Sequence, residues 1–179
     1  MKTTTVAILG AGSWGTAIAI HLARQGNQIM LWSRNPQHVI DMQEQRCNYR
    51  YLNDIKFPES IIPNSDLCEC VSKSQTTIIA VPSHGFAELL TKIKKPTGGI
   101  AWLTKGIDKQ TNQLLSQVIS KKWGSSIPSA IISGPSFARE VAQGLPTALV
   151  VAGSNPDYLQ HLQSLLHHQY LRVYLSQDI

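Results

Sequence analysis

The run Val6-Ala7-Ile8-Leu9-Gly10-Ala11-Gly12-Ser13-Trp14-Gly15-Thr16-Ala17-Ile18-Ala19 constrains the fold of this chain more than any other stretch. A short apolar segment ends at Gly10, and glycines at 10, 12 and 15 open a segment of good helix formers. The G-x-G-x-x-G spacing therefore lies where it carries meaning, between a strand and a helix across a tight turn. Each glycine has its own steric task. Gly10 permits the turn, Gly12 lets a pyrophosphate approach the backbone, and Gly15 lets the helix pack close to the strand. The unsatisfied N–H groups of the first helical turn then face the phosphates, where the helix dipole favours negative charge. The expectation is a dinucleotide site.

The rest of the chain repeats the alternation. The first helix runs to about Arg24, with Gly26 as its stop signal. Gln28-Ile29-Met30-Leu31-Trp32 reads as a second strand, followed by Arg34 where a ribose-reading residue is expected. An acidic side chain there would bind the ribose hydroxyls of NAD; an arginine can instead meet a 2′-phosphate or stack on adenine. Asn35-Pro36 starts a helix that continues to about Arg46. Residues 48–64, with Tyr49, Tyr51, Pro58 and Pro63, read as a long irregular segment, and such loops are often functional. Ser65-Asp66 caps a short helix carrying Leu67 and Val71.

Further strands are expected at Thr76-Thr77-Ile78-Ile79-Ala80-Val81, Ile100-Ala101-Trp102-Leu103, Ala130-Ile131-Ile132, residues 148–152 and residues 171–175. Helical stripes lie between them at Phe86/Leu89/Leu90/Ile93, Leu114/Leu115/Val118/Ile119 and Leu159/Leu162/Leu165/Leu166. This pattern predicts an α/β fold, a Rossmann-like doubly wound and mostly parallel sheet with helices on both faces, and one dinucleotide-binding domain over residues 1–179. In such sheets ligands gather beyond the carboxyl ends of the strands. Pro82-Ser83-His84, Thr104-Lys105-Gly106 and Gly134-Pro135-Ser136 all follow strands. The expected site is built from residues 10–14, Arg34, residues 82–84, Lys105 and residues 134–138.

Composition narrows the function classes. The chain has 179 residues, 42% hydrophobic and 15% charged, which suits one large globular domain. The net charge of +5 suits anionic ligands, but the basic residues are scattered and lack a nucleic-acid motif, so no nucleic-acid partner is expected. Cys47, Cys68 and Cys70 form no zinc pattern, and Cys68-Glu69-Cys70 is too short for a C-x-x-C site; reduced thiols and no metal are expected. Lys2 ahead of an apolar run suggests a signal peptide, but the interrupting glycines and Ser13 already have another role. No run approaches a membrane span, and a soluble, cytoplasmic protein is expected. There is no nucleophile elbow, H-E-x-x-H or Walker lysine.

On four stretches the chain resembles NAD(P)-dependent glycerol-3-phosphate dehydrogenase. They are Gly10-Ala11-Gly12-Ser13-Trp14-Gly15-Thr16-Ala17, Ala80-Val81-Pro82-Ser83, Leu103-Thr104-Lys105-Gly106, and Ser133-Gly134-Pro135-Ser136-Phe137-Ala138-Arg139-Glu140 with Gly144-Leu145-Pro146-Thr147. The resemblance implies an oxidoreductase of glycerophospholipid biosynthesis. Its reaction interconverts dihydroxyacetone phosphate and sn-glycerol 3-phosphate by hydride transfer with NAD or NADP. It further implies cofactor contacts at Gly10, Gly12, Ser13, Trp14, Gly15, Arg34, Lys105 and Ala138. Substrate contacts are implied at Lys105, Gly134 and Ser136. The family often has a second basic residue beside Arg34, where this chain has Ser33 and Asn35, so the choice between NAD and NADP stays open, as does a homodimer. In the family a helical second domain supplies the general-acid lysine and the clamp on the substrate phosphate. That lysine is expected beyond Ile179, so no catalytic residue is expected within these 179 residues, which should bind cofactor with little turnover. Two other readings remain: a related dehydrogenase of another hydroxy acid or sugar acid, and a non-catalytic nucleotide-binding module.

Overall fold

The computed structural model describes residues 3–178; Met1, Lys2 of the signal-peptide comparison and Ile179 lie outside them. In chain order the elements are β1 (Thr5–Leu9), α1 (Ser13–Arg24), β2 (Gln28–Trp32), α2 (Pro36–Gln45), β3 (Cys47–Asn48), β4 (Leu52–Lys56) and β5 (Ile61–Asn64). There follow α3 (Leu67–Ser72), β6 (Thr76–Ile79), α4 (Phe86–Lys92), β7 (Ile100–Trp102), α5 (Leu115–Trp123) and β8 (Ser129–Ser133). The described chain closes with α6 (Ala138–Gln143), β9 (Thr147–Gly153), α7 (Pro156–Leu166) and β10 (Leu171–Ser176). Eight strands form a sheet in the order β10-β9-β8-β7-β6-β1-β2-β5, while β3 and β4 pair separately.

Side-chain alternation along the strands sorts the apolar residues into two cores, one on each face. Val6 and Ile8 of β1, Ile29 and Leu31 of β2, Ile78 of β6 and Ala101 of β7 join the core covered by α1, α2, α6 and α7. Ala7, Leu9, Met30, Trp32, Ile79, Ile100 and Trp102 join the core covered by α3, α4 and α5. The continuous apolar runs read from the sequence are thus strands buried on both sides. Helix α1 is buried from Gly15 to Ala23, which fits its lack of a polar face.

Two expectations need correction. Residues 48–64 are not irregular, because β4 and β5 occupy most of that stretch and β5 adds to β2 as the outer strand. An outer strand tolerates Pro63, which has no N–H to donate. The sheet also reverses once: β8 and β9 are antiparallel, whereas the other neighbouring strands run parallel. The cause is the length of α6. Six residues of helix advance the chain by only about 9 Å, too little to return it to the start of β8. Strand β9 therefore begins at the end where β8 stops.

One buried polar group ties the far side of the fold together. His21 on α1 donates from Nε2 to the Leu166 carbonyl at the end of α7, at 2.7 Å. Burial holds the imidazole below its ordinary range despite that hydrogen bond, and the nearby His168 and Arg24 add to the lowering. A histidine kept neutral in the folded chain but free to protonate when unfolded makes the unfolded state bind more protons. The contribution is thus intact above about pH 6.5 and is lost as pH falls toward the lowered value. We expect the melting temperature to decline between pH 7 and pH 5, and His21→Gln to flatten that slope. Melts recorded across this range check both.

Candidate functional site

The glycine loop between β1 and α1 is held by contacts that only glycine allows. Gly10 has φ +130°, and a Cβ there would lie 2.7 Å from the backbone carbonyl of Ala80. A Cβ on Gly15 would lie 1.9 Å from the Gly10 carbonyl oxygen. Around Gly12, by contrast, an added Cβ meets nothing within 4 Å. Two of the glycines serve packing, and the third faces open space. Gly12 is also the N-cap of α1; no side chain caps the helix and its first turn holds no acidic residue. An uncapped helix start of this kind presents unsatisfied N–H groups and a positive dipole end to any anion.

That loop forms one wall of a cleft of about 750 Å³, a size suited to a small-molecule or cofactor site. Residues 10–14 line it, together with Trp32 at the end of β2, Ser33 and Arg34 after it, residues 80–85 after β6, and Leu103, Thr104 and Lys105 after β7. Because β1, β2, β6 and β7 are parallel, all these segments leave the same edge of the sheet. The Thr104 hydroxyl donates to the Val81 carbonyl oxygen at 2.7 Å, which joins the loops after β6 and β7 and fixes the backbone beside Lys105. The cleft carries Arg34, Lys92 and Lys105 against a single acidic lining side chain among the described residues, Glu88. Lys92 bonds Glu88 at 2.5 Å and holds its carboxyl below the ordinary range, with Arg34 adding to the effect. The remaining charge of the cleft is positive, which favours a phosphorylated ligand.

The structure brings Gly10, Gly12, Ser13, Trp14, Arg34 and Lys105 to the cleft, with Gly15 buried directly behind the loop. Gly134, Ser136 and Ala138 do not line it. They follow β8, three strands from β1, or about 14 Å at roughly 4.8 Å per strand, on the same edge beyond Lys105. A Cβ on Gly134 would lie 2.7 Å from the Ala148 carbonyl oxygen, and the Ser136 hydroxyl donates to that same carbonyl at 3.0 Å. Ala138 packs against the core that Trp14 and Ala80 also cover. His84 lies in the 3-10 turn Ser83–Gly85 and faces the cleft.

Among the cleft residues outside the site expected from the sequence are Trp32, His38, Tyr51, Glu88 and Lys92. Trp32 looks like ordinary strand core, and its Nε1–H donates to the Ser65 carbonyl at 3.1 Å. His38 looks like one more helical histidine. Tyr51 lies in the stretch taken as irregular, where its length was the only hint.

A family model described as NAD-dependent glycerol-3-phosphate dehydrogenase N-terminus matches residues 5–159. The chain belongs to this family. Among curated relatives, the glycerol-3-phosphate dehydrogenase (NAD(P)+) of Legionella pneumophila strain Paris is 56% identical over the whole chain and 54% of its own length. That of Haemophilus influenzae is 43% identical over 98% of the chain and 54% of the relative. The crystal structure of glycerol-3-phosphate dehydrogenase from Coxiella burnetii superposes with a TM-score of 0.92 at 42% identity, covering 99% of this chain and 55% of that one. The chain thus spans about half the length of the dehydrogenases it matches. The four stretches on which the resemblance was read all begin within the matched region, and the Rossmann-like sheet is shared with these dehydrogenases.

Proposed function

We propose that this chain is the cofactor-holding part of an NAD(P)-dependent glycerol-3-phosphate dehydrogenase that interconverts dihydroxyacetone phosphate and sn-glycerol 3-phosphate. The observation that carries the reading is the uncapped start of α1 at Gly12, open to a positively charged cleft of dinucleotide size. In this reading Gly12, Ser13 and Trp14 hold the pyrophosphate side of NAD or NADP, while Gly10 and Gly15 keep the loop tight against the sheet. Arg34 takes the adenosine end. Lys105 reaches both cofactor and substrate. Ala138 closes on the cofactor, and Gly134 and Ser136 meet the substrate farther along the edge.

The nicotinamide, when bound, supplies or accepts the hydride. The chain's own contribution is geometry and charge. The Thr104–Val81 hydrogen bond fixes the loop that presents Lys105, so that the ammonium can stabilise the oxygen that becomes an alkoxide as dihydroxyacetone phosphate is reduced. The proton for that oxygen is assigned to the half of the relatives' length that this chain does not span, in keeping with the family resemblance. A cytoplasmic setting, a role in glycerophospholipid biosynthesis and a homodimer belong to the same proposal on that resemblance. A self-sufficient nucleotide-binding module is disfavoured by Tyr174, 61% exposed on the outer strand β10, beside its register partner Val150 of β9, 37% exposed on the same face.

Trp14 and Trp32 both line the cleft, which supplies the test. NADH added to the chain is expected to quench tryptophan emission and gain dihydronicotinamide emission by energy transfer, with little oxidation of NADH on adding dihydroxyacetone phosphate. A folded chain that shows no transfer contradicts the reading. Rapid turnover by this chain contradicts the assignment of the proton donor.

A further inference from the structure

We propose that Asn48 is a positioning residue that aims the Gly12 amide into the cleft. Asn48 is fully buried in the two-residue strand β3, 37 residues along the chain from the glycine loop. Its side-chain amide donates to the Ala11 carbonyl oxygen at 3.0 Å and to the Thr16 hydroxyl at 2.8 Å. Its Oδ1 lies 2.9 Å from His38 Nε2. An amide oxygen only accepts, so His38 carries its proton on Nε2. In the neutral imidazole Nδ1 is then the acceptor for the Ser33 hydroxyl, at 3.2 Å. The network therefore has one direction, from Ser33 through His38 to Asn48 and on to Ala11 and Thr16. Both amide hydrogens and the amide oxygen of Asn48 are used.

The consequence lies in the Ala11–Gly12 peptide. Its carbonyl and N–H belong to one planar trans unit and point in opposite directions. Asn48 holds the carbonyl toward the interior, so the Gly12 N–H is turned outward. That N–H makes no hydrogen bond among the described residues, and the space around Gly12 is open. A glycine loop is otherwise free to rotate this peptide, because glycine lacks the steric limits of other residues. Asn48 removes that freedom without touching a ligand. Its partner His38 is bonded in turn to Ser33, next to Arg34, through a contact that does not involve Asn48 itself.

The inference rests on the reading of the cleft as a dinucleotide site, and the test separates the two. In the 15N-labelled chain, the Gly12 amide is expected to shift strongly downfield on saturation with NADH. In Asn48→Leu that response is lost and NADH binds roughly tenfold more weakly, the size of one hydrogen bond to a charged group. Adenosine, which has no pyrophosphate, binds both chains equally. Amides of α5, on the other face, respond alike in both. Retention of the Gly12 response in Asn48→Leu overturns the inference alone. Absence of NADH binding by the parent chain overturns the cleft reading and the inference with it. A second measurement does not depend on the variant folding. In the parent chain, scalar coupling across the hydrogen bond from Asn48 Nδ2 to the Ala11 carbonyl carbon is expected, and its absence overturns the inference.

Discussion

Gly12→Asp is expected to leave the fold intact, or slightly firmer, while abolishing cofactor binding. The backbone at Gly12 has φ −80° and ψ −176°, a conformation any residue adopts, and an added Cβ meets no neighbour. Gly12 is the N-cap of α1, where aspartate is a preferred residue and gains a few tenths of a kcal/mol over glycine. The same carboxylate accepts the N–H groups of the first turn and puts a negative charge where the pyrophosphate is to lie. Stability and affinity therefore move in opposite directions. The melting temperature should match or exceed that of the parent chain, and the Kd for NADH should rise at least about 100-fold, or roughly 2.7 kcal/mol. Thermal melts and equilibrium titration of the same sample check the pair of outcomes.

Gly15→Ala is expected to do the reverse kind of damage, striking the fold first. The new methyl group would sit 1.9 Å from the Gly10 carbonyl oxygen and 3.0 Å from the Ala80 Cβ. The obstacle is backbone, so no side-chain rotation relieves it, and α1 has to move away from the loop as a unit. Helix α1 is buried along most of its length against β1 and β2, and that shift opens the larger of the two cores. Overpacking of this kind costs about 3 kcal/mol or more, which for a chain of this size lowers the melting temperature by about 10 °C. Gly26→Ala makes the comparison specific. Gly26 has no neighbour within 4 Å of an added Cβ, and its cost comes only from φ +84°. Differential scanning calorimetry of the two variants should rank Gly15→Ala as the more damaging.

How far such features are legible in sequence depends on whether one residue decides them. The loop from Gly10 to Gly15 is legible because Gly10 and Gly15 leave no room for a Cβ and Gly12 keeps the helix start open to a ligand, and the spacing records all three. The doubly wound sheet is legible because Val6, Ile8, Ile29 and Leu31 alternate with Ala7, Leu9, Met30 and Trp32 between two cores. Strands β4 and β5 were hidden by their composition. Polar Asn53 and Asp54 separate the buried Leu52 and Ile55, and Pro63 argues against a strand unless the strand is known to be outermost. The reversal at β9 was hidden because period-2 alternation carries no direction. The short length of α6 was the available clue.

The candidate site shows the same divide. Arg34 and Lys105 follow strands whose ends a sequence can place. His38 and Asn48 act through each other across ten residues, and Asn48 reaches the glycine loop 37 residues before it. No local pattern encodes such a pairing. Gly134, Ser136 and Ala138 were legible as a strand-end cluster, yet their distance from Gly12 is set by strand order, with β6 and β7 between β1 and β8. That order places them beyond Lys105, on the side where the proposal puts the substrate.

Everything proposed for the cleft depends on the uncapped start of α1 at Gly12 holding a nicotinamide dinucleotide. Calorimetric titration of the parent chain and of Gly12→Asp with NADH and with NADPH tests it most directly. Saturable one-to-one binding of at least one of the two by the parent is expected, and none by the equally folded variant. A folded parent chain that binds neither, or a variant that binds as well as the parent, would contradict it.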